Sequence, residues 1–221
     1  MRTRYDEELK NLHSALIDMG TMIESAISGA ITALENRDIQ KAKDIIAYDE
    51  EIDAQERLIE EMCMKLLLRQ QPVARDLRNI STALKLITDM ERIGDHAADI
   101  SELAMMLRDL PQMNSASLRE MAVQTSTMLI SSVEAYVEQD EEKAHTVIRQ
   151  DDVVDDLFVT VKREMIEAIR QNSDCSEAAA DLLMAAKYFE RIGDHATNIA
   201  EWTIYAIHGN HQSSYSICQK A

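Results

Sequence analysis

Four pairs of carboxylates stand four residues apart in this chain: Asp49 with Asp53, Glu91 with Asp95, Asp151 with Asp155, and Glu190 with Asp194. On a helix that spacing puts both members of a pair on one face, a single turn apart. Glu102 and Glu201 fall near the lines set by Glu91/Asp95 and Glu190/Asp194. Hard oxygen donors of this kind suit Mg, Mn, Fe or Ca, with Zn also accommodated. If neighbouring antiparallel helices bring the rows opposite one another, four carboxylates converge in each half of the chain, as a multinuclear metal site requires. The alternatives are an ordinary solvated acidic face, or rows that meet a partner or pair with Arg75, Arg78, Arg92 and Arg191.

Two of the pairs lie inside a repeated string, Glu-Arg-Ile-Gly-Asp-His-Ala, at Glu91 to Ala97 and again at Glu190 to Ala196. Upstream of the first copy, Ile80, Leu84 and Ile87 lie on the same helical line, so the carboxylates continue an apolar seam. Anionic groups at such a seam need cations or hydrogen bonds to offset desolvation. His96 and His195 project about 100° from the carboxylate row, which favours hydrogen bonding at an adjacent helix interface over ligation of the same ion. Gly94 and Gly193 sit where glycine costs up to about 1 kcal/mol relative to alanine, so close packing or room for an ion is the expected return. The methionines, Met62, Met64, Met105, Met106 and Met121 among them, read as core filler. No Ser/His/Asp or Cys/His arrangement and no Gly-rich phosphate loop appears, so the reading is of a protein that is not an enzyme.

Long helices must position these rows. Five Gly, two Pro and 4% aromatics in 221 residues leave little for turns or strands, and the fold class expected is all-α. Apolar periodicity predicts helices over about 5–34, 38–68, 73–107, 115–138, 140–170 and 176–207. Asp38 is the expected N-cap of the second. The plan repeats: Asp38, Lys41, Ala42, Ile46, Asp49 and Asp53 recur shifted by 102, and Glu91, Asp95, Ile100 and Glu102 recur shifted by 99. Two tandem three-helix units follow, 1–110 and 111–208, with a polar tail at 209–221 expected to be poorly ordered. Helices of about 30 residues span about 45 Å.

Charge and composition exclude other classes. Lys plus Arg is 23 against 40 Asp plus Glu, a net charge of −17, which repels nucleic-acid backbones and anionic lipid. Cys63, Cys175 and Cys218 are too scattered for a disulfide frame or zinc site and are expected to be reduced thiols. No apolar leader or membrane-length apolar run occurs, so a cytoplasmic protein without membrane insertion is expected.

The paired Glu-Arg-Ile-Gly-Asp-His strings, the pairs Asp49/Asp53 and Asp151/Asp155, and the stretch Gln71-Pro72-Val73-Ala74-Arg75-Asp76-Leu77-Arg78 together resemble the PhoU family of phosphate-transport accessory and regulatory proteins. The resemblance covers about residues 5 to 208. It implies two three-helix bundles, a homodimer, and in some members surface metal clusters (Fe, Zn, Mn or Mg) held by these carboxylate motifs. It further implies an adaptor between a phosphate ABC transporter, through its ATPase subunit, and a sensor histidine kinase. In that role the protein represses phosphate-starvation signalling and restrains uptake. Carried over by position, the ligands are Asp49, Asp53, Glu91, Asp95, Asp151, Asp155, Glu190 and Asp194, with Glu102 and Glu201 weaker. Asn198, standing where the first half has Asp99, makes the two sites unequal, and the Pro72 to Arg78 stretch has no second copy. A di-metal oxidase or metal-storage bundle is the competing class, but neither Glu91 nor Glu190 has the His three residues on that such bundles use. A metal-free helical scaffold is the third.

Overall fold

The computed structural model describes residues 2–70 and 73–209, and all long elements in them are helices. They are α1 (Arg2–Asn36), α2 (Ile39–Gln70), α3 (Ala74–Met106), α4 (Ala116–Glu138), α5 (Glu141–Gln171) and α6 (Ser176–His208). Every helix expected from periodicity is present, with ends within a few residues of the expected ones. Short 3-10 turns at Leu107–Asp109 and Ser173–Cys175 lead out of α3 and into α6. Residues 210–221, with Cys218, lie outside the described residues, as do Gln71 and Pro72.

The duplication reaches into the turns. Asp38 and Asp140 each accept a hydrogen bond from the backbone N–H three residues on, at 3.0 Å, capping α2 and α5. Just before each cap, Arg37 and Gln139 adopt left-handed backbone with φ of 54° and 56°. The N–H groups of Asp38 and Asp140 then close back onto the carbonyls of Ala33 and Ala135, at 3.0 and 2.9 Å. One two-residue turn thus ends one helix and begins the next.

Each half packs its three helices on one another, and the halves join through α3 against α6 and α1 against α4. Helices α2, α3, α6 and α5 form a row in that order, with α1 and α4 side by side across one of its faces. Buried residues from all six helices form one continuous apolar core. Helix α3 and helix α6 run antiparallel, since Arg78 bonds the Ala206 carbonyl at one end while His96 meets His195 near the middle.

The unduplicated stretch after Pro72 works as a clasp. Arg78 Nε donates to the Ala206 carbonyl at 3.3 Å, Asn79 offers its carbonyl to the Tyr136 hydroxyl at 2.7 Å, and Asp76 faces Tyr5. The start of α3 is thereby fastened to α1, α4 and α6 at once.

Candidate metal centres

On α3, the side opposite the carboxylate line is fully buried, at Leu86, Ile93, Ala97, Ile100 and Ala104. Glu91 and Asp95 therefore face away from the core, toward the groove between α3 and α2, where Asp49 and Asp53 stand. The carboxyl of Asp49 is pushed up from 3.8 to about 6, first by burial and then by the negative charges of Asp95, Asp53 and Asp99. Burial also raises Glu91, helped by Asp95, Glu56 and Asp53 and opposed by Arg92. The two rows do converge in the first half.

The second half repeats the arrangement between α5 and α6. Asp151 is raised to about 6 by burial, then by Asp194 and Asp155. Asp155 and Asp194 are each raised by burial and then by Glu190. All eight principal carboxylates thus fall into two groups of four, one per half. Glu102 joins neither group: it is exposed, and its charge acts on Tyr188 of α6. Glu201 lies on α6 seven residues, about two turns, beyond Asp194.

The mid-helix glycines have a clear cause. A Cβ on Gly94 would lie 3.2 Å from Asp49 Oδ1 and from Ile52 Cγ2, and one on Gly193 would lie 3.3 Å from Asp151 Oδ1. In both halves the glycine of the repeated string makes room for the aspartate of the facing helix. Asp49 Oδ1 is buried there without a hydrogen-bond partner.

Chemically the halves differ. Glu56, which sequence reasoning passed over, stands beside Asp53 and is itself raised by burial and by Asp53. Its counterpart in the second half is Phe158, over whose ring Lys187 sits at 5.6 Å. Lys187 also ion-pairs with Glu190, whereas the first half has Thr88 at that position. Comparing the halves at the shift of 102 would have exposed the Glu56/Phe158 exchange. In the first half the cation is Arg92, 2.9 Å from Asp95 and 3.5 Å from Glu91, and Arg57 lies 3.6 Å from Asp53.

Neither histidine turns to the carboxylate groups. His96 Nδ1 lies 3.2 Å from Asp99, and His195 Nδ1 lies 2.8 Å from Asp89 across the α3–α6 seam. Their rings face each other at 5.7 Å. Asn198 also donates to Asp89, at 3.2 Å, so the residue opposite Asp99 serves the seam between the halves.

Among the described residues no group of three or more His, Cys, Asp or Glu side chains is closed around a point as a bound ion would hold it. The donor set nevertheless fits a hard cation: clustered carboxylates, several with raised affinity for protons, and one buried oxygen lacking any donor.

Comparison with known proteins agrees with the duplicated architecture. The chain is 38% identical over 210 residues to the phosphate-specific transport system accessory protein PhoU homolog of Clostridium acetobutylicum, covering 94% of this chain and 96% of that one. It superposes on the crystal structure of PhoU from Pseudomonas aeruginosa with a TM-score of 0.86 at 32% identity, covering 93% of this chain and 100% of that one. The phosphate transport system regulatory protein PhoU from Streptococcus pneumoniae gives the same TM-score at 26% identity, covering 95% and 99%. With the PhoU domain matching twice, over residues 16–104 and 118–203, this chain belongs to the PhoU family.

Proposed function

We propose that this protein is a non-enzymatic regulator of phosphate-specific transport. It acts in the cytoplasm, as a homodimer, as an adaptor between the ATPase subunit of a phosphate ABC transporter and a sensor histidine kinase. In that position it restrains uptake and represses phosphate-starvation signalling when phosphate is plentiful. The observation that carries this reading is the likeness to a phosphate-specific transport accessory protein along 94% of this chain and 96% of the relative, with both repeats retained. No helix among the described residues is long and apolar enough to cross a membrane, which accords with a protein that meets the transporter from the water side.

In this reading the two carboxylate groups hold divalent or trivalent metal ions, Fe, Zn, Mn or Mg. Asp49, Asp53, Glu91 and Asp95 bind in the first half, and Asp151, Asp155, Glu190 and Asp194 in the second. A bound cation supplies the positive charge that mutually repelling, partly desolvated carboxylates lack, and so ties α2 to α3 and α5 to α6. Gly94 and Gly193 keep Asp49 and Asp151 seated against the facing helix. Arg92 and Lys187 screen the groups when no ion is present.

Gene deletion with complementation tests the regulatory role. Phosphate uptake and transcription of phosphate-responsive genes rise under phosphate-replete conditions in the deletion strain, and unchanged values for both reject the proposal. Elemental analysis of protein purified without chelator, beside an Asp95→Ala/Asp194→Ala variant, tests the metals. Equal metal in both proteins removes these aspartates as necessary ligands, and none in either favours a metal-free scaffold.

A further inference from the structure

Where α2 gives way to α3, the first half carries three bare apolar side chains. Leu68 is 78% exposed, Val73 68% and Leu77 48%, and the first two are the most exposed large hydrophobic residues among the described ones. Leu68 stands two residues before the end of α2, Val73 immediately before α3 and Leu77 in its first turn, so all three lie within about 5 Å of the helix ends along the axis. Lys65, Arg75 and Arg78 stand within two turns of the same ends. From Lys65 to Arg78 the sequence has four cations and one carboxylate, in a chain of net charge −17. That carboxylate, Asp76, faces Tyr5. Lys65 shares an exposed ion pair with Glu61 at 3.0 Å, and Arg78 reaches only the neutral Ala206 carbonyl.

The duplication supplies an internal control. At the repeat shifts of 102 and 99, Leu68, Val73 and Leu77 correspond to Arg170, Asn172 and Ser176, while Lys65, Arg75 and Arg78 correspond to Glu167, Asp174 and Glu177. Each apolar residue has a polar counterpart, and each cation an anionic one. The second turn closes with the Asn172 side chain accepting from the Asp174 N–H at 3.1 Å. Folding the turn therefore asks for neither the apolar nor the basic residues, and exposure to water favours the polar version. Since α3 and α6 run antiparallel, the two turns stand at opposite ends of the molecule. One turn is apolar and basic, the other polar and acidic.

We propose that the α2–α3 end docks on an anionic membrane surface, with Leu68, Val73 and Leu77 entering between headgroups while Lys65, Arg75 and Arg78 meet lipid phosphates. Apolar groups at the helix ends with cations among and just behind them match the layering of a bilayer interface, acyl chains beneath phosphate. The charge of the whole chain does not oppose this pose. The metal-centre carboxylates of the first half stand about 22–33 Å farther along α2 and α3, beyond the roughly 8 Å over which charge is felt at physiological salt. Asp6 and Glu7 of α1 share this end and are exposed, so the cations alone hold loosely and the apolar side chains carry much of the affinity. The contact requires neither bound metal nor a protein partner, and the molecule meets the bilayer end-on without spanning it.

Cosedimentation with vesicles of phosphatidylcholine alone, and of phosphatidylcholine with an equal part of phosphatidylglycerol, tests the contact. The full chain should bind the anionic vesicles at least about tenfold more tightly than the neutral ones at about 0.1 M salt. Val73→Asn/Leu77→Ser, and separately Arg75→Asp, install the second-half residues. Each variant should weaken binding about tenfold, with melting temperature unchanged because these side chains are exposed. On anionic vesicles hydrogen exchange should slow over 62–68 and 73–80 and stay unchanged over 167–177. Equal binding of the two vesicles, binding to neither, or variants that bind like the wild type overturns the proposal. Binding to protein-bearing membranes but not to vesicles of their extracted lipids also overturns it, in favour of a membrane protein as the partner.

Discussion

His195 of the second half hydrogen-bonds Asp89 of the first, Nδ1 to Oδ1 at 2.8 Å, and the mirror position of Asp89 is filled by Tyr188, which packs its ring on His96 at 5.4 Å. One side of the seam is therefore held by hydrogen bonds and the other by ring contact. Asp89 also accepts from Asn198, so Asp89→Ala leaves the partly buried His195 ring and the exposed Asn198 amide without that acceptor. It should cost about 1–3 kcal/mol in urea denaturation. Asp89→Asn retains an acceptor oxygen and should cost less than half as much, and equal losses for the two variants would show that the carboxamide cannot serve.

The metal-free protein should be more stable in mild acid than at neutral pH. Asp49 and Asp151 hold their protons up to about pH 6 in the folded chain, against 3.8 ordinarily. The folded state therefore binds more protons than the unfolded state between those limits, and stability rises as pH falls from about 7 to about 4. Asp49→Asn should melt at a higher temperature than the wild type at pH 7.5, with the difference closing by pH 4.5. A variant that melts lower at pH 7.5 contradicts the assignment of an unfavourable buried charge.

Alanine at the two string glycines should separate helix propensity from packing. Gly94→Ala sets a Cβ against both Asp49 and Ile52 at 3.2 Å, while Gly193→Ala meets Asp151 at 3.3 Å and Val154 at a comfortable 3.5 Å. Crowding costs about 1–3 kcal/mol and the gain in helix propensity returns about 1 kcal/mol. Gly94→Ala should thus lose about 1 kcal/mol by thermal or urea denaturation and Gly193→Ala should be near neutral. The reverse order would place the tighter seam in the second half.

The two centres should load unequally. Lys187 sits within the second group and pairs with Glu190, while the first group has the extra carboxylate Glu56 beside Asp53. Calorimetric titration of the metal-free protein with Mn should resolve a tighter first-half event and a weaker second-half one. Lys187→Thr, which copies Thr88, should tighten the weaker event several-fold. A titration in which that substitution changes nothing removes Lys187 as a competitor for the carboxylates.

Much of this molecule was legible from residue order. Apolar spacing located all six helices, because each buries one continuous stripe, and the aspartates at 38 and 140 marked helix starts because their side chains cap backbone N–H groups. The pairing of carboxylate rows followed from the same periodicity once α2 ran antiparallel beside α3. Periodicity names a buried face without naming what covers it, so the order α2, α3, α6, α5 and the meeting of His96 with His195 came only from the packed structure. The inequality of the centres expected from Asn198 is present, since the charge of Asp99 raises Asp49 and Asn198 carries none, and it is joined by Glu56, Phe158 and Lys187, residues that matter because of the helix they face. Glu102 followed the helical line but ran past the point where α2 faces α3 with its own carboxylates.

The antiparallel α3–α6 seam makes the chain a dimer fused into one polypeptide. A single three-helix unit, cut at residue 110, would bare the surface of α3 that now meets α6 and that of α1 that meets α4, and would have to find a twin in solution to cover them. Fusion makes that twin permanent at an effective concentration no separate chain can match. It also releases the halves from identity. Once two copies are guaranteed to meet, one side of the contact can keep an aspartate where the other takes a tyrosine, and one centre can gain a carboxylate where the other gains a lysine. A symmetric assembly of separate subunits must accept every substitution twice; this chain accepts them singly.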